Sequence, residues 1–419
     1  MPLKKNALKA ISLFTGAGGL DLGLDAAGFR PSVCVEVDSL CRETLSANHP
    51  NWPQADPSDI HKISTDDLFS QAGLKSVGSL DLLSGGPPCQ PFSKSGYWVN
   101  GDTKRLSDPR AQTLKAYLNI INHSLPKVFL LENVKGMAYK GKDEGLQLFY
   151  RSLKRINKQH SVEYKVAHVQ VNCANYGVPQ LRERVFIVGT RIGKAFELPD
   201  ATHRTYEEIS SYSRAQEFLT AWDAIGDLDI DCWGEELSVT GKWAGLLPTI
   251  PEGHNYLWHT SKGGGASLFG NRTRFWSFLL KLAKEKPSWT IQAGPGPATG
   301  PFHWRSRKLS IRELARLQTF PDEYTFKGGY RDAHRQIGNA VPPAIGYLLG
   351  IQIRKQMFSE NARYVQRFIP RKRKDCPPPE RKKRLPKKYW DLRGSHSDHP
   401  GEGLGPGVVE RKNISGNAA

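Results

Sequence analysis

The stretch Ala7 to Gly23, ALKAISLFTGAGGLDLG, decides the fold. Residues 7–14 form an apolar run of strand length, the glycines make a turn, and 20–27 read as the opening of a helix. The basic residues ahead of the run imitate a signal peptide, but Gly16, Gly18 and Gly19 interrupt it and Asp21 follows, so a strand is the better reading. The pattern repeats downstream. PSVCVEV at 31–37, LDLLSGG at 80–86, KVFLLEN at 127–133, VAHVQVN at 166–172 and RVFIVGT at 184–190 are further apolar runs, most of them separated by enough residues for a crossover helix. Such alternation predicts an open, largely parallel α/β sheet whose ligands lie beyond the carboxyl ends of its strands.

The glycine turn at 14–23 lets the backbone approach a ligand closely, and Glu36 at the end of the second run can accept hydrogen bonds from ribose hydroxyls. By itself this pattern suits a nicotinamide cofactor as well as any other nucleoside-bearing one. GGPPCQPFS at 85–93 is sharper: two glycines and two prolines fix the chain just before Cys89, in a rigid polar setting that favours an exposed nucleophile over an inert buried thiol. After Arg191 the rhythm breaks, and 192–304 is rich in Gly, Trp and Pro without a sustained period, as expected of an inserted second domain. Helical character returns at 310–320 and after Pro342 and Pro343. Residues 359–419 offer no apolar face and are expected to be a disordered basic tail acting through charge.

The chain carries 59 Lys and Arg against 41 Asp and Glu, a net +18 that favours a polyanionic partner. Between Arg363 and Arg393 stand 13 basic and 3 acidic residues, so this segment supplies +10 of the total. The six cysteines form no C-x-x-C pair and no cluster with histidine, which suggests neither zinc nor a disulfide framework and fits a cytoplasmic setting. No run approaches the ~18 apolar residues a membrane-spanning helix needs.

Taken in order, these motifs resemble those of the cytosine carbon-5 DNA methyltransferases of bacterial restriction-modification type. FTGAGGLDLG is similar to the family's first cofactor motif, GGPPCQPFS to its catalytic loop, ENV at 132–134 to the motif of the catalytic glutamate, and YGVPQLRER at 176–184 to the motif that supplies two arginines. RKLSIRELARLQTFPDEY at 307–324 and QIGNAVPP at 336–343 resemble the closing motifs. The resemblance implies a doubly wound, Rossmann-like S-adenosylmethionine-dependent methyltransferase domain, residues 1–191 and 305–358, around an inserted smaller target-recognition domain, 192–304. It assigns catalysis to Cys89, Glu132, Arg182 and Arg184, with Cys89 attacking carbon 6 of a flipped-out cytosine, Glu132 protonating ring nitrogen 3, Arg184 contacting the base and Arg182 supporting the loop.

S-adenosylmethionine would be held by Phe14, Gly16, Ala17, Gly18, Gly19, Glu36, Asp59, Ile60, Pro88, Asn339 and Val341, with no metal. Val37 departs from the bulky residue usual beside the ribose glutamate. The implied partner is double-stranded DNA, touched by Lys262, glycines 263–265, Arg272, Arg274 and Trp276. A monomer working alongside a restriction endonuclease, without a stable complex and without a membrane, completes the expectation. The Cys-Phe-Thr tripeptide of the transfer-RNA branch is absent, since Trp233 follows Cys232 and Ala174 follows Cys173.

Overall fold

The computed structural model describes residues 7–88, 112–133, 144–209, 215–229, 237–271 and 275–393. Seven strands lie before residue 191: β1 Leu8–Leu13, β2 Phe29–Val35, β3 Leu82–Gly85, β4 Val128–Asn133, β5 Lys165–Asn172, the two-residue β6 Gln180–Leu181, and β7 Glu183–Thr190. Six of them form one sheet in the order β2-β1-β3-β4-β7-β5. Pairings among β2, β1, β3 and β4 are parallel, whereas β7 runs antiparallel to both β4 and β5. The sheet is therefore mixed. The link between β5 and β7 is too short for the crossover that a parallel neighbour needs, so the chain folds straight back.

Helices α1 Gly19–Ala26, α2 Ser39–Asn48, α3 Thr65–Gln71, α4 Gln112–Ser124 and α5 Glu144–His160 alternate with these strands. β3 is buried along its whole length, and the apolar part of β4 likewise, because helices cover both faces of the sheet and leave no solvent side for polar alternation. Two cores result, one on each face: Phe129, Tyr117 and Phe149 meet on one, Phe29, Phe186 and Ile345 on the other.

α6 Ala221–Ile225, the two-residue strand β8 Ser288–Trp289, α7 Ile311–Leu317, α8 Tyr330–Asn339 and α9 Pro343–Met357 follow. α9 lies against α1 at very close range: a Cβ on Gly23 would stand 2.2 Å from the Pro343 carbonyl oxygen. The glycines of the first motif thus serve this packing as well as the turn. α7 begins at a capping box, Ser310 and Glu313 each bonding the other's backbone amide.

Packing does not change at residue 192. Phe196 joins the sheet's second core, and Ala221, Ala224 and Ile225 pack with Leu314 and Ile337 of α7 and α8. A separate core, that of a second lobe over about 237–302, forms only farther on, from Leu246, Ile250, Tyr256, Phe269, Leu279 and Phe302. Tyr389 and Leu392 complete it. Residues 359–393 therefore depart from the structureless tail expected of them: although basic, the segment buries Tyr389 and Leu392 and hydrogen-bonds along its course, which spacing among so many charges concealed. Residues 394–419 lie outside the described residues.

Candidate active site

The carboxyl ends of β1 to β4 open on one edge of the sheet, and the antiparallel β7 begins at that edge, opposite the end of β4. A cavity of about 390 Å³ lies there. It is lined by Phe14, Gly16, Ala17 and Gly19 after β1, Glu36 after β2, Gly86 and Pro88 after β3, Glu132 on β4, Arg184 on β7, and Asn339 and Val341 where α8 passes into α9. Most of the expected site residues thus converge without sharing any local stretch of sequence.

The turn after β1 needs glycine at two places for backbone reasons: Gly16 at φ +56° and Gly18 at φ +74° sit in the left-handed region. Nothing stands within 4 Å of where a Gly16 side chain would point, whereas a Cβ on Gly18 would press on Leu45 and Trp52, so Gly16 faces the cavity and Gly18 the packing behind it. Glu36 accepts from the amides of Gly16 at 2.6 Å and Asp38 at 2.8 Å. Burial raises its pKa against these bonds, and each oxygen keeps a lone pair for a hydroxyl donor. A glycine cradle, an oriented carboxylate and a volume within the range of small-molecule sites fit a nucleoside-bearing cofactor. Among the described residues no group of three His, Cys, Asp or Glu could hold a metal ion.

Glu132 and Arg184 form an ion pair, Oε1 to Nε at 2.9 Å, with both side chains largely buried. Burial pushes the Glu132 carboxyl up, opposed by the charges of Arg184 and Arg182. A Cβ on Gly86 would come within 2.9 Å of the other Glu132 oxygen, so the glycine leaves that oxygen its space. Beside it Asn133 donates to the Pro87 carbonyl at 3.4 Å, tying the end of β4 to the chain just before Pro88. Pro88 lines the cavity and Cys89 follows it directly, but Cys89 itself lies outside the described residues.

Arg182 does not line the cavity. It is fully buried, and its guanidinium donates to the carbonyls of Ile291, Gly338 and Ala340, which links the approach to β7 to the chain after β8 and to the α8–α9 junction. Gly18, Asp59 and Ile60 are likewise absent from the lining. Asp59 accepts from the amide of His61, and Ile60 packs against the sheet core. Val37 lines the cavity and stands 68% exposed. Glycines 263–265 make room for Trp258, whose ring would clash with a Cβ on Gly264 at 2.4 Å. Trp276 is half exposed and meets Trp289 edge to face, 5.3 Å between centroids. Lys262 is exposed, and Arg272 and Arg274 lie outside the described residues.

Three features were not among the expected site residues. Asp21 is buried at the cavity wall, and burial lifts its pKa to about 6. Arg335 reaches across the mouth to Asp38 at 2.7 Å, just before the recognisable QIGNAV. Cys173 lies buried near the Glu132–Arg184 pair, and burial raises its thiol to about 11.

A sheet edge that gathers a glycine cradle, an acid after the second strand and a buried carboxylate–guanidinium pair is the arrangement of an α/β enzyme with its site at the strand ends. Residues 8–355 match the C-5 cytosine-specific DNA methylase family, and the chain belongs to it: it is a DNA cytosine methyltransferase. It is 38% identical over 376 residues to the Type II methyltransferase M.SacI of Streptomyces achromogenes, covering 84% of this chain and 93% of that one. M.NgoFVII of Neisseria gonorrhoeae is 32% identical over 342 residues, 81% and 84% of the two chains. Among solved structures, the methyltransferase EhMeth of Entamoeba histolytica superposes with a TM-score of 0.56 at 15% identity, over 84% of this chain and 99% of its own, a likeness of fold alone.

Among the described residues no helix is long and apolar enough to cross a membrane.

Proposed function

We propose that the cavity binds S-adenosylmethionine and that the enzyme methylates carbon 5 of a cytosine rotated out of double-stranded DNA, within one recognition sequence. The observation that carries this reading is the Glu132–Arg184 pair, standing at the wall of the glycine-cradled cavity that Pro88, the residue before Cys89 in sequence, also lines. When bound, the cofactor would supply an electrophilic methyl group. Glycines 16 to 19 would hold its body, Glu36 its ribose hydroxyls, and Asn339 and Val341 its far side.

Carbon 5 of cytosine is too electron-poor to attack unaided. The Cys89 thiolate adds to carbon 6, forming the Sγ–C6 bond, while Glu132 delivers its proton to ring nitrogen 3, which leaves carbon 5 nucleophilic. Arg184, already holding Glu132, stabilises charge as it develops on the base. After methylation the carbon 5 proton leaves to solvent, the Sγ–C6 bond breaks, and nitrogen 3 returns its proton to Glu132. A stacked base is out of reach of the thiol, so the base must leave the duplex first.

A duplex with 5-fluorocytosine at the target tests the scheme, because fluorine cannot depart as a proton. An adduct that survives denaturing electrophoresis, requires S-adenosylmethionine and is lost in Cys89→Ser is expected. Trapping through Cys173 instead would overturn the assignment. The Type II names of its relatives support a protective role against an endonuclease that cuts the same sequence, and under this proposal the enzyme acts there as a monomer in the cytoplasm; genomic DNA from expressing cells should resist that endonuclease.

A further inference from the structure

The chain continues past the family match, which ends at residue 355, and its next stretch is sewn onto the body. Tyr364, Phe368 and Ile369 pack on the core of the sheet. Arg373 then bonds Asp223 and Asp227 beside α6. Farther on, Pro378 and Glu380 receive the buried ammonium of Lys284, which Glu252 also holds, and the Lys383 amide donates to the Pro248 carbonyl. The strap ends with Tyr389 stacked parallel to Trp243, its hydroxyl donating to the Lys242 carbonyl.

Between these anchors the strap turns its charges outward. Arg381, Lys382, Lys383, Arg384, Lys387 and Lys388 are all exposed, and among the described residues none of them pairs with a carboxylate. Two are steadied by rings, Lys382 at 4.5 Å from the Trp258 centroid and Lys388 at 5.1 Å from that of Tyr389. Six like charges in eight residues repel one another, and a free tail would spread them; here backbone and aromatic anchors hold them together on the outside of the second lobe. An unpaired cationic row fixed on an enzyme whose substrate is DNA has an evident complement in the phosphate backbone.

We infer that the strap at 371–393 is part of the second lobe and presents a fixed cationic row to the phosphates of duplex flanking the target sequence. The row contributes affinity without base readout, since contacts to phosphate oxygens carry no sequence information. Cutting the chain at 359 would then remove part of a core as well as charge, contrary to the mild effect a loose tail would have.

The test is the full-length variant R381Q/K383Q/R384Q/K387Q, which spares the anchors and both ring-held lysines. With a 40-bp duplex carrying the target at its centre, the slope of log affinity against log salt should fall by roughly 0.9 per lost phosphate contact, and affinity at low salt by at least ~10-fold. A duplex of ~14 bp should show little of this loss, and the methylated sequence should not change. An unaltered slope overturns the inference, as does an equal loss on the short duplex or a changed target site. So does an equal effect from neutralising Arg151, Lys154, Arg155 and Lys158 on α5, which would reduce the row to net charge.

Discussion

The sheet lobe and the second lobe solve the same problem of backbone satisfaction in different ways. In the sheet, ladders of hydrogen bonds fix each strand end, so Glu36, Gly86, Glu132 and Arg184 stand where the register puts them. Between 237 and 302 the described residues include one two-residue strand and two short 3-10 turns, Leu247–Thr249 and Tyr256–His259. Backbone groups there pair in turns and in single long-range bonds such as Lys281 to His254 and Leu282 to Phe302, and side chains add to them: buried Lys281 donates to the Ile250 carbonyl, Asn255 to that of Trp276, and Tyr389 comes from far along the chain to bond that of Lys242. A single change at one of the sheet's strand ends should therefore act on chemistry at a standing fold. In the second lobe it should act on the fold itself.

Glu132→Gln would show the first half of that contrast at its largest. The amide keeps the shape but cannot deliver a proton, and loss of a positioned acid lowers rate by ~100-fold to ~10,000-fold. Single-turnover methylation should fall by that factor while DNA binding and the melting temperature hold, because the effect lives in the transition state. A melting temperature that fell with the rate would show that the pair holds the fold as well.

Tyr389→Ala tests the second half. Truncating a buried aromatic costs about 3–5 kcal/mol, and here the loss falls on the small core it shares with Trp243 and Phe269. Hydrogen exchange should rise across 246–302 and sequence-specific DNA binding should drop, while S-adenosylmethionine binding by calorimetry persists. Equal loosening of both lobes would mean that they are one cooperative unit.

Asp21→Asn separates the lobes by pH. The folded state lifts the Asp21 pKa from 3.8 to about 6, so it binds the proton more tightly than the unfolded chain and stability from this group is lost as pH rises between those values. The loss is on the order of 3 kcal/mol when complete. The variant lacks this titration. Its melting advantage over the parent should be absent near pH 4 and grow to a plateau above pH 6; an advantage that stays constant with pH would remove Asp21 from the account.

How much of this was legible in advance follows the same division. Strand runs, the glycine turn and the residues at strand ends could be read because hydrophobic period and turn chemistry are local signals. The convergence of Glu36, Glu132 and Arg184 on one cavity required the family's motif order, since no spacing predicts which strand ends become neighbours. β7's reversal was missed because an apolar run carries no sign of direction. Asp59 and Ile60 came from motif position alone, and the cavity wall does not include them. The strap was missed for a physical reason: its apolar residues, Leu385, Tyr389 and Leu392, are too few and too irregular among cations to show a face, and the core they pack into comes from residues far back along the chain.

The smallest effect belongs to Arg335 and Asp38, which join α8 to the cap of α2 across the cavity mouth. Both side chains are partly exposed, 38% and 28%, so the pair contributes only about 0.2–1 kcal/mol. It is nonetheless placed where closure matters, because Asp38 also donates its amide to Glu36, and Thr44 of the same helix bonds Gln336 next to Arg335. Arg335→Met should weaken S-adenosylmethionine binding by no more than about 5-fold and speed its release, leaving the rate of the bound complex unchanged. Asp38→Asn alone also disturbs a helix cap, so the pair is isolated by the double-mutant cycle, with the coupling expected to shrink as salt is raised. A coupling indistinguishable from zero at low salt would leave the neutral Thr44–Gln336 contact as the tie between α2 and α8, and cofactor affinity would then follow Thr44→Val more closely than any charge change.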